Sequence, residues 1–109
     1  MNVTIREYLD TNGRSPYGRW FSGLNAPAAA KIAVALYRME AGNFSKVKGV
    51  GGGAFEIRID FGPGYRVYFG KDGDAFVILL GGGTKARQDT DIARARQFWQ
   101  DYKLRKPRP

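Results

Sequence analysis

The N-terminal part of the chain changes from strand-like to helix-like spacing of its apolar residues. Apolar and polar side chains alternate over residues 2–9, a pattern that predicts a first strand. Ser15 and Pro16 then favour a helix start, because serine caps helix N-termini and proline is tolerated in the first turn. The next apolar residues share one helical face at i, i+3, i+4 and i+7: Tyr17, Trp20, Phe21 and Leu24.

A second helix is predicted directly after the first. Asn25 is a suitable N-cap, and Pro27 lies in the first turn. The apolar face of this helix repeats with helical spacing: Ala28, Ile32, Leu36 and Met39. Gly42 indicates its end, since glycine adopts the left-handed conformation that follows many helices. The short connection between the two helices predicts an antiparallel helical hairpin.

From residue 46 onward the apolar spacing becomes that of strands. A short alternating segment at 46–48 precedes a glycine-rich stretch, and Ala54–Asp60 then alternates cleanly. Tyr65–Phe69 is the next predicted strand, and the turn residues at 71–74 predict a hairpin after it. Residues 76–80 are apolar throughout, which predicts a central strand covered on much of both faces.

The C-terminal part is predicted to form one more helix and a tail. The glycines at 81–83 are expected to end the last strand, and Thr90 is expected to cap the helix. The buried face of this helix has helical spacing: Ile92, Ala95, Trp99 and Tyr102. Residues 1–102 are interpreted as one domain. Residues 103–109, with four basic residues and two prolines, are expected to fray into a basic tail.

These elements predict an α+β fold with the order β-α-α-β-β-β-α. The last three strands are joined by short turns and must be antiparallel neighbours, so a single twisted, mainly antiparallel sheet is expected. The helices are expected to pack on one face of that sheet. The other face would then be open to solvent and carry four polar or aromatic side chains: Glu56, Arg58, Arg66 and Tyr68.

The amino-acid composition restricts the possible reactions and partners of the protein more than it restricts the possible folds. The chain has 109 residues, which fits one small domain. It carries 18 Lys and Arg against 10 Asp and Glu, and the formal net charge of +8 indicates a polyanionic partner, either nucleic acid or an acidic protein. It has no Cys and no His, which excludes disulfides, thiol nucleophiles, imidazole metal ligands and a histidine base. We therefore predict no metal and no cofactor.

The hydropathy of the chain gives no indication of a membrane or of export. No apolar run approaches the roughly 18–20 residues needed to span a bilayer, so no membrane partner is expected. The N-terminal residues lack the basic start and apolar stretch of a signal peptide. A cytoplasmic location is the resulting expectation.

Two segments of the sequence carry a family resemblance. They are residues 53–69, GAFEIRIDFGPGYRVYF, and residues 79–92, LLGGGTKARQDTDI, the second followed by a helix that contains Ala95. Both resemble the toxins of bacterial type II toxin–antitoxin modules in the RelE/ParE superfamily. Within it the chain resembles the HigB-like branch, also called addiction-module killer proteins or phage Gp49-like proteins. The likeness extends over nearly the whole chain in order and spacing.

The resemblance implies a RelE-like fold and a toxin that a cognate antitoxin holds inactive. In RelE-like and HigB-like members the activity is cleavage of mRNA at the ribosome, which makes the ribosome and mRNA expected partners. In ParE-like members the target is DNA gyrase, and no nuclease chemistry is attributed to them. The presence of Arg58, Arg66 and Lys85 favours the nuclease. A small, non-toxic RNA-binding module is a third interpretation of so basic a chain, and the oligomeric state is left open.

An mRNA endonuclease without histidine must move protons with other side chains. Attack by the ribose 2′-hydroxyl requires a base, a stabiliser of the phosphate charge and an acid for the leaving 5′-oxygen. Arg58 and Arg66 lie on adjacent predicted strands, and their forked guanidinium groups suit the phosphate. Lys85 follows the central strand, and positive neighbours would favour a neutral lysine that acts as base or acid. Glu56 is expected to orient an arginine or take a proton.

Four further residues complete the predicted site. Tyr68 is expected to stack on an RNA base or donate a proton. Lys46, Lys48 and Arg87 are expected to bind phosphate. The sequence does not assign which residue is the base and which is the acid. The plain alternative is that the charged strand positions form only a solvated face with weak surface ion pairs.

Overall fold

The computed structural model describes residues 2–107. Their helices and strands follow in the order β1 (Thr4–Glu7), α1 (Pro16–Ser22), α2 (Ala26–Glu40), β2 (Val47–Gly51), β3 (Ala54–Ile59), β4 (Tyr65–Asp72), β5 (Phe76–Thr84), a 3₁₀ turn (Lys85–Arg87) and α3 (Gln88–Arg105). No helix in this described range is long and apolar enough to pass through a membrane.

The five strands form one sheet in the order β1-β5-β4-β3-β2. β1 pairs with β5 in parallel, and the other three pairings are antiparallel. The predicted α+β class and the single, mainly antiparallel sheet are therefore confirmed. The predicted order lacks β2, because this edge strand contains Gly49 and Gly51 and has too few apolar side chains for a clear alternating pattern.

The helices α1 and α2 begin at the residues that the sequence predicts. The Ser15 hydroxyl accepts a hydrogen bond from the backbone N–H of Gly18 at 2.8 Å, and the Asn25 side chain accepts one from Ala28 at 2.9 Å. These caps satisfy N–H groups that a helix start leaves without partners. Both helices pack on one face of the sheet. Strand residues in that first core include Ile57, Val67, Phe69, Val77 and Leu79.

Helix α3 packs on the opposite face of the sheet, so the expectation that all helices share one face is wrong. The residues of this second core are Tyr8, Ala54, Tyr68, Ile78, Leu80, Ala95 and Trp99. The cause is β5, which is apolar on both sides: Val77 and Leu79 belong to the first core, and Ile78 and Leu80 to the second. Successive side chains of a strand point to opposite faces, so both faces need a helical cover.

Glycines let the tryptophans of α1 and α3 approach the sheet backbone. The indole of Trp99 occupies the space that a side chain at Gly70 would need, and the indole of Trp20 occupies the space at Gly82. β5 runs through Gly81–Gly83 to Thr84, so the expectation that these glycines end the strand is wrong. The lack of a side chain at these glycines allows the tryptophans to pack against the strand backbone, and it does not end the strand.

Helix α3 is longer at both ends than predicted. It begins at Gln88, after the 3₁₀ turn, so Thr90 lies inside its first turn and is not the N-cap. It continues to Arg105, which donates hydrogen bonds of 2.6 Å to the Leu9 carbonyl and to Asp101. The expected fraying is therefore wrong for residues 103–106, because such partners hold the basic side chains. The end of the predicted tail, residues 108–109, lies outside the described residues.

Replacing Gly70 by alanine is expected to destabilise the fold. The new Cβ would clash with the indole of Trp99, and overpacking of this kind costs about 1–3 kcal/mol. The matched control is Gly49→Ala, since a Cβ there makes only an ordinary contact, 4.0 Å from the Phe55 ring. Urea unfolding followed by circular dichroism gives the free energy of unfolding of each variant. Equal stability of the two would contradict the contact between Trp99 and β4.

Candidate functional site

Glu56 on β3 and Arg66 on β4 face α3, and both are buried. Glu56 is 2% exposed and Arg66 is 6% exposed. The register pairs Arg58 with Arg66 and Glu56 with Tyr68, which puts all four residues on the same face. The prediction of an open face is wrong for Glu56, Arg66 and Tyr68, because α3 buries its own apolar side chains there. Arg58 has an exposed side chain, as predicted.

Glu56 holds the guanidinium group of Arg66 in place. Arg66 Nε lies 3.5 Å from Glu56 Oε2, which is an ion pair without a well-formed hydrogen bond. Gln88, at the start of α3, donates a hydrogen bond of 2.8 Å to Glu56 Oε1. Lys48 Nζ lies 3.8 Å from Glu56 Oε2. Removing one partner of a buried ion pair costs about 3–5 kcal/mol, so the fold depends on both members.

Arg58 and Lys46 share one exposed carboxylate at the end of β3. Arg58 Nε and Lys46 Nζ each lie 3.2 Å from an oxygen of Asp60. The hydrogen bond from Lys46 is the main cause that holds the pKa of Asp60 below its ordinary value, and the positive charge of Arg58 lowers it further. All three side chains are about half exposed, so solvent screens both pairs and neither adds much stability. Both cations can therefore exchange Asp60 for another anion at little cost.

Lys85 lies near Arg66, beside the turn between β3 and β4. Its backbone N–H donates a hydrogen bond of 2.8 Å to the carbonyl of Gly64. Lys85 and Arg66 both lie close to Gly64. An ideal Cβ built on this glycine would be 3.4 Å from Lys85 Cβ and 3.7 Å from Arg66 Nη1. The Lys85 side chain is exposed. The structure thus brings five of the predicted site residues together, and we call them the Arg66 cluster: Lys48, Glu56, Arg58, Arg66 and Lys85.

Tyr68 lies inside the second core and not on a surface. Its side chain is 1% exposed, and its hydroxyl has no hydrogen-bond partner within the described residues. Burial raises the pKa of Tyr68, and the negative charges of Glu56 and Asp91 raise it further. The phenol therefore keeps its proton at neutral pH. The expected stacking of an RNA base on an exposed Tyr68 is wrong, because α3 covers the ring.

A groove of about 320 Å³ lies beside the C-terminal end of β5. It is bounded by Trp20 of α1, by Gly81–Thr84 at the end of β5, and by Arg87, Asp91 and Arg94 of the 3₁₀ turn and α3. We call it the Asp91 groove. Tyr68 also lines it. Of the predicted site residues, Tyr68 and Arg87 line this groove, and the members of the Arg66 cluster do not.

Asp91 is the residue of this region that sequence reasoning missed. Among residues 2–107 its buried Oδ2 atom has no hydrogen-bond partner, and the carboxylate fills the space that a side chain at Gly83 would need. Gly83 pairs directly with Arg66 in the sheet. Burial raises the pKa of Asp91, while the charges of Arg87 and Arg94 act to lower it. In the sequence, a glycine at position 83 indicates that another group packs closely against the strand backbone. It does not indicate that this group is the carboxylate of Asp91.

The Arg66 cluster has the chemistry of an anion site. Its guanidinium groups are forked and its ammonium groups are exposed, and both kinds of donor bind phosphate oxygens. Within residues 2–107, no three acidic side chains are arranged to hold a metal ion.

Replacing Asp91 by asparagine is expected to raise the free energy of unfolding relative to wild type, and this gain is expected to grow as the pH rises. A carboxyl with a raised pKa binds its proton more tightly in the folded state, so wild-type stability falls as the pH rises from the ordinary value of 3.8 through the raised pKa. Asparagine does not ionise and lacks this loss. Asp89→Asn, an exposed aspartate on the same helix, is the matched control.

The measurement is the free energy of unfolding in urea from about pH 4 to about pH 7. The difference between Asp91→Asn and wild type should grow towards neutral pH, and the Asp89→Asn difference should not. A pH-independent difference for Asp91→Asn would contradict the burial of this carboxylate.

Comparison of the sequence with known proteins shows the family to which the chain belongs. A family model described as phage derived protein Gp49-like (DUF891) matches residues 19–100. The chain is also 45% identical over 89 residues to an uncharacterized protein of Haemophilus influenzae (strain ATCC 51907 / DSM 11121 / KW20 / Rd), which covers 81% of this chain and 90% of the relative. The family match includes the whole Arg66 cluster and Asp91. The chain therefore belongs to the phage-derived Gp49-like family, a family associated with addiction-module toxins.

Proposed function

We propose that this protein is the toxin of a toxin–antitoxin module and that it cleaves mRNA at the ribosome, without a metal ion, and so stops translation. Its partners would be a cognate antitoxin and the ribosome with its mRNA. Membership of a family associated with addiction-module toxins supports the first part. The observation that carries the second part is the Arg66 cluster. Arg66 and Lys48 lie within 4 Å of the buried Glu56 carboxylate, and Arg58 and Lys85 lie beside Arg66.

The two arginines of the cluster suit a scissile phosphate. Arg58 and Arg66 are direct neighbours across the β3–β4 ladder, so both guanidinium groups can reach one phosphate. Like charges placed so close repel each other, and an anion between them relieves that repulsion. Negative charge grows on the phosphate during the attack, so the contact strengthens in the transition state. Arg58 would meet the phosphate from the exposed side, and Arg66 from the base of the cluster.

Glu56 would orient Arg66 and would not act as the base. One of its oxygens accepts the hydrogen bond from Gln88, and the other faces Arg66 and Lys48. At 2% exposure it is also too deeply buried to meet a ribose hydroxyl. A fixed arginine needs no reorganisation when the phosphate charge develops, which is the advantage of a prearranged site.

Lys85 and Lys48 are the candidates for the two proton transfers. Lys85 is exposed and forms no ion pair within residues 2–107. Lys48 stands beside Glu56, and its side chain is 68% exposed. One lysine would take the proton of the 2′-hydroxyl, and the other would protonate the leaving 5′-oxygen. Lys46 and Arg87 would extend the basic surface along the RNA through phosphate contacts.

A ParE-like toxin that acts on DNA gyrase is the second candidate. The observation that favours it is the burial of Arg66 in an ion pair, because such a pair can serve the fold alone. The exposed cations would then bind an acidic surface without any chemistry.

Lys85→Ala is expected to slow mRNA cleavage by roughly 10²–10⁴-fold, the usual contribution of a general acid or base. The side chain is exposed, so the fold should be unaffected. The matched control is Lys31→Ala, which removes an exposed lysine from α2 on the opposite side of the sheet. Cleavage is measured by primer extension on mRNA in a purified translation system. Equal cleavage by Lys85→Ala and wild type would remove Lys85 from the mechanism.

Induction of the protein in cells without an antitoxin separates the candidate functions. The nuclease predicts that protein synthesis stops first and that messages are cut. A DNA damage response with intact messages would instead support action on gyrase. Normal growth at a confirmed level of folded protein would contradict both toxins and favour a non-toxic RNA-binding module.

A further inference from the structure

A second groove, of about 540 Å³, lies between α2 and β3. Cavities that bind ligands commonly have volumes of about 300–1,000 Å³. Residues 57–61, at the end of β3, line one side of it. One face of α2 lines the other side, with residues at i, i+3, i+4 and i+7: Lys31, Val34, Ala35 and Arg38. We call it the Arg38 groove.

The Arg38 groove has an apolar lining that the fold leaves partly uncovered. Val34 is 46% exposed, and the ladder between β2 and β3 stops at the pair of Val47 and Ile57. In the described sheet, no strand therefore lies beside the next residues of β3 on that edge. A second chain that covers this surface would remove apolar area from water, which favours binding. The apolar residues of the lining are Val34, Ala35, Ile57, Ile59 and Phe61.

Cations outnumber acids in the lining of the Arg38 groove. The one acidic residue of the lining is Asp60, whereas three cations can meet a ligand: Arg38, Lys46 and Arg58. Arg38 is exposed and forms no ion pair within residues 2–107. Lys46 and Arg58 share only the exposed carboxylate of Asp60. A negatively charged ligand therefore gains more attraction than repulsion here.

The lining fits an acidic protein segment better than it fits a nucleic acid or a second copy of the chain. Single-stranded nucleic acids stack their bases on open aromatic rings. The one aromatic residue of the lining is Phe61, and Lys31 Nζ lies over its ring, 5.5 Å from the centroid. A second copy would bring its own net charge of +8. A segment with apolar and acidic side chains matches both the apolar residues and the cations.

We propose that the Arg38 groove is the docking site of an acidic segment of the cognate antitoxin, and that this segment inhibits the protein by pairing with Arg58 and Lys46. The docking site is inferred from the lining and charge of the groove. The inhibition rests on the proposed function, because that function assigns Arg58 to the scissile phosphate.

Arg58 connects the Arg38 groove with the Arg66 cluster. Successive side chains of β3 point to opposite faces, so Ile57 and Ile59 belong to the first core, while Arg58 lies on the face of Arg66. Arg58 still lines the groove, because the edge of β3 is uncovered there. A carboxylate of the bound segment can replace Asp60 at Arg58, since this exposed pair is weak. Arg58 is then no longer free to bind the phosphate of an mRNA.

The test is a selection of peptides from a random library, displayed on phage, against the purified full chain. Peptides that combine acidic and apolar residues are expected to be enriched. The most enriched peptide is synthesised with a fluorescent label, and fluorescence anisotropy gives its Kd. Val34→Glu and Arg38→Glu should each weaken its binding by about tenfold or more, since each places a negative charge against an acidic ligand.

The matched control is Arg19→Glu. Arg19 and Arg38 are both exposed arginines in the last turn of a helix, and Arg19 does not line the groove. Its variant should bind the peptide as wild type does. Circular dichroism confirms folding, and if Val34→Glu does not fold, Arg38→Glu decides alone.

Three results would overturn the docking site. The first is that no acidic peptide is enriched, or that the enriched peptide binds both groove variants as tightly as wild type. The second is that a 20-nucleotide single-stranded RNA, and no peptide, loses affinity for Arg38→Glu but not for Arg19→Glu, which identifies a nucleic acid as the occupant. The third is a dimer of the purified chain that Val34→Glu dissociates, which identifies a second copy.

The inhibition is tested by adding the same peptide to mRNA cleavage in the purified translation system. Slower cleavage by wild type and by Arg19→Glu, without slowing of Arg38→Glu, supports it. Unchanged cleavage by wild type saturated with peptide overturns the inhibition and leaves the docking site. A chain that cuts no mRNA contradicts the proposed function alone, because the binding measurements do not depend on cleavage.

Discussion

The docking of α3 on the second face of the sheet is the contact on which the rest of the structure depends. β5 carries apolar side chains on both faces of the sheet. Without α1 and α2, Val77 and Leu79 would be exposed to water, and without α3, Ile78 and Leu80 would be exposed. The glycine at position 70 lets Trp99 reach the backbone and brings the helix close. Once α3 is in place, Tyr68 is in a core and Gln88 reaches Glu56.

This docking also divides the charges into a fixed part and an exposed part. Glu56 and Arg66 lie where their attraction is weakly screened, and each compensates the burial of the other. Arg58, Lys48 and Lys85 remain in water, where their pairs are weak or absent among the described residues. An anion that arrives at the cluster thus meets exposed cations beside a buried arginine that Glu56 positions. Such an arrangement can serve catalysis, since the fixed dipoles and charges need not move when the substrate charge changes.

The Arg66 cluster and the Asp91 groove are two consequences of one strand pairing. Arg66 on β4 stands opposite Gly83 on β5, so a large cation lies next to a position with no side chain. Asp91 takes that vacant position from α3. The matched part of the family, residues 19–100, contains both features. A basic surface and a partly polar groove therefore lie side by side on a chain with a net charge of +8.

The sequence by itself determined the features that depend on neighbours along the chain. Ser15 and Asn25 cap their helices as predicted, and the alternation over β3 and β4 puts Arg58 and Arg66 side by side. Only the tertiary structure decided which face each helix covers, and hence that Glu56, Arg66 and Tyr68 are buried. Periodicity tells which side of a helix is apolar but not which side of a sheet receives it. That choice comes from packing between residues far apart in the chain, and the same packing brought Asp91 onto Gly83.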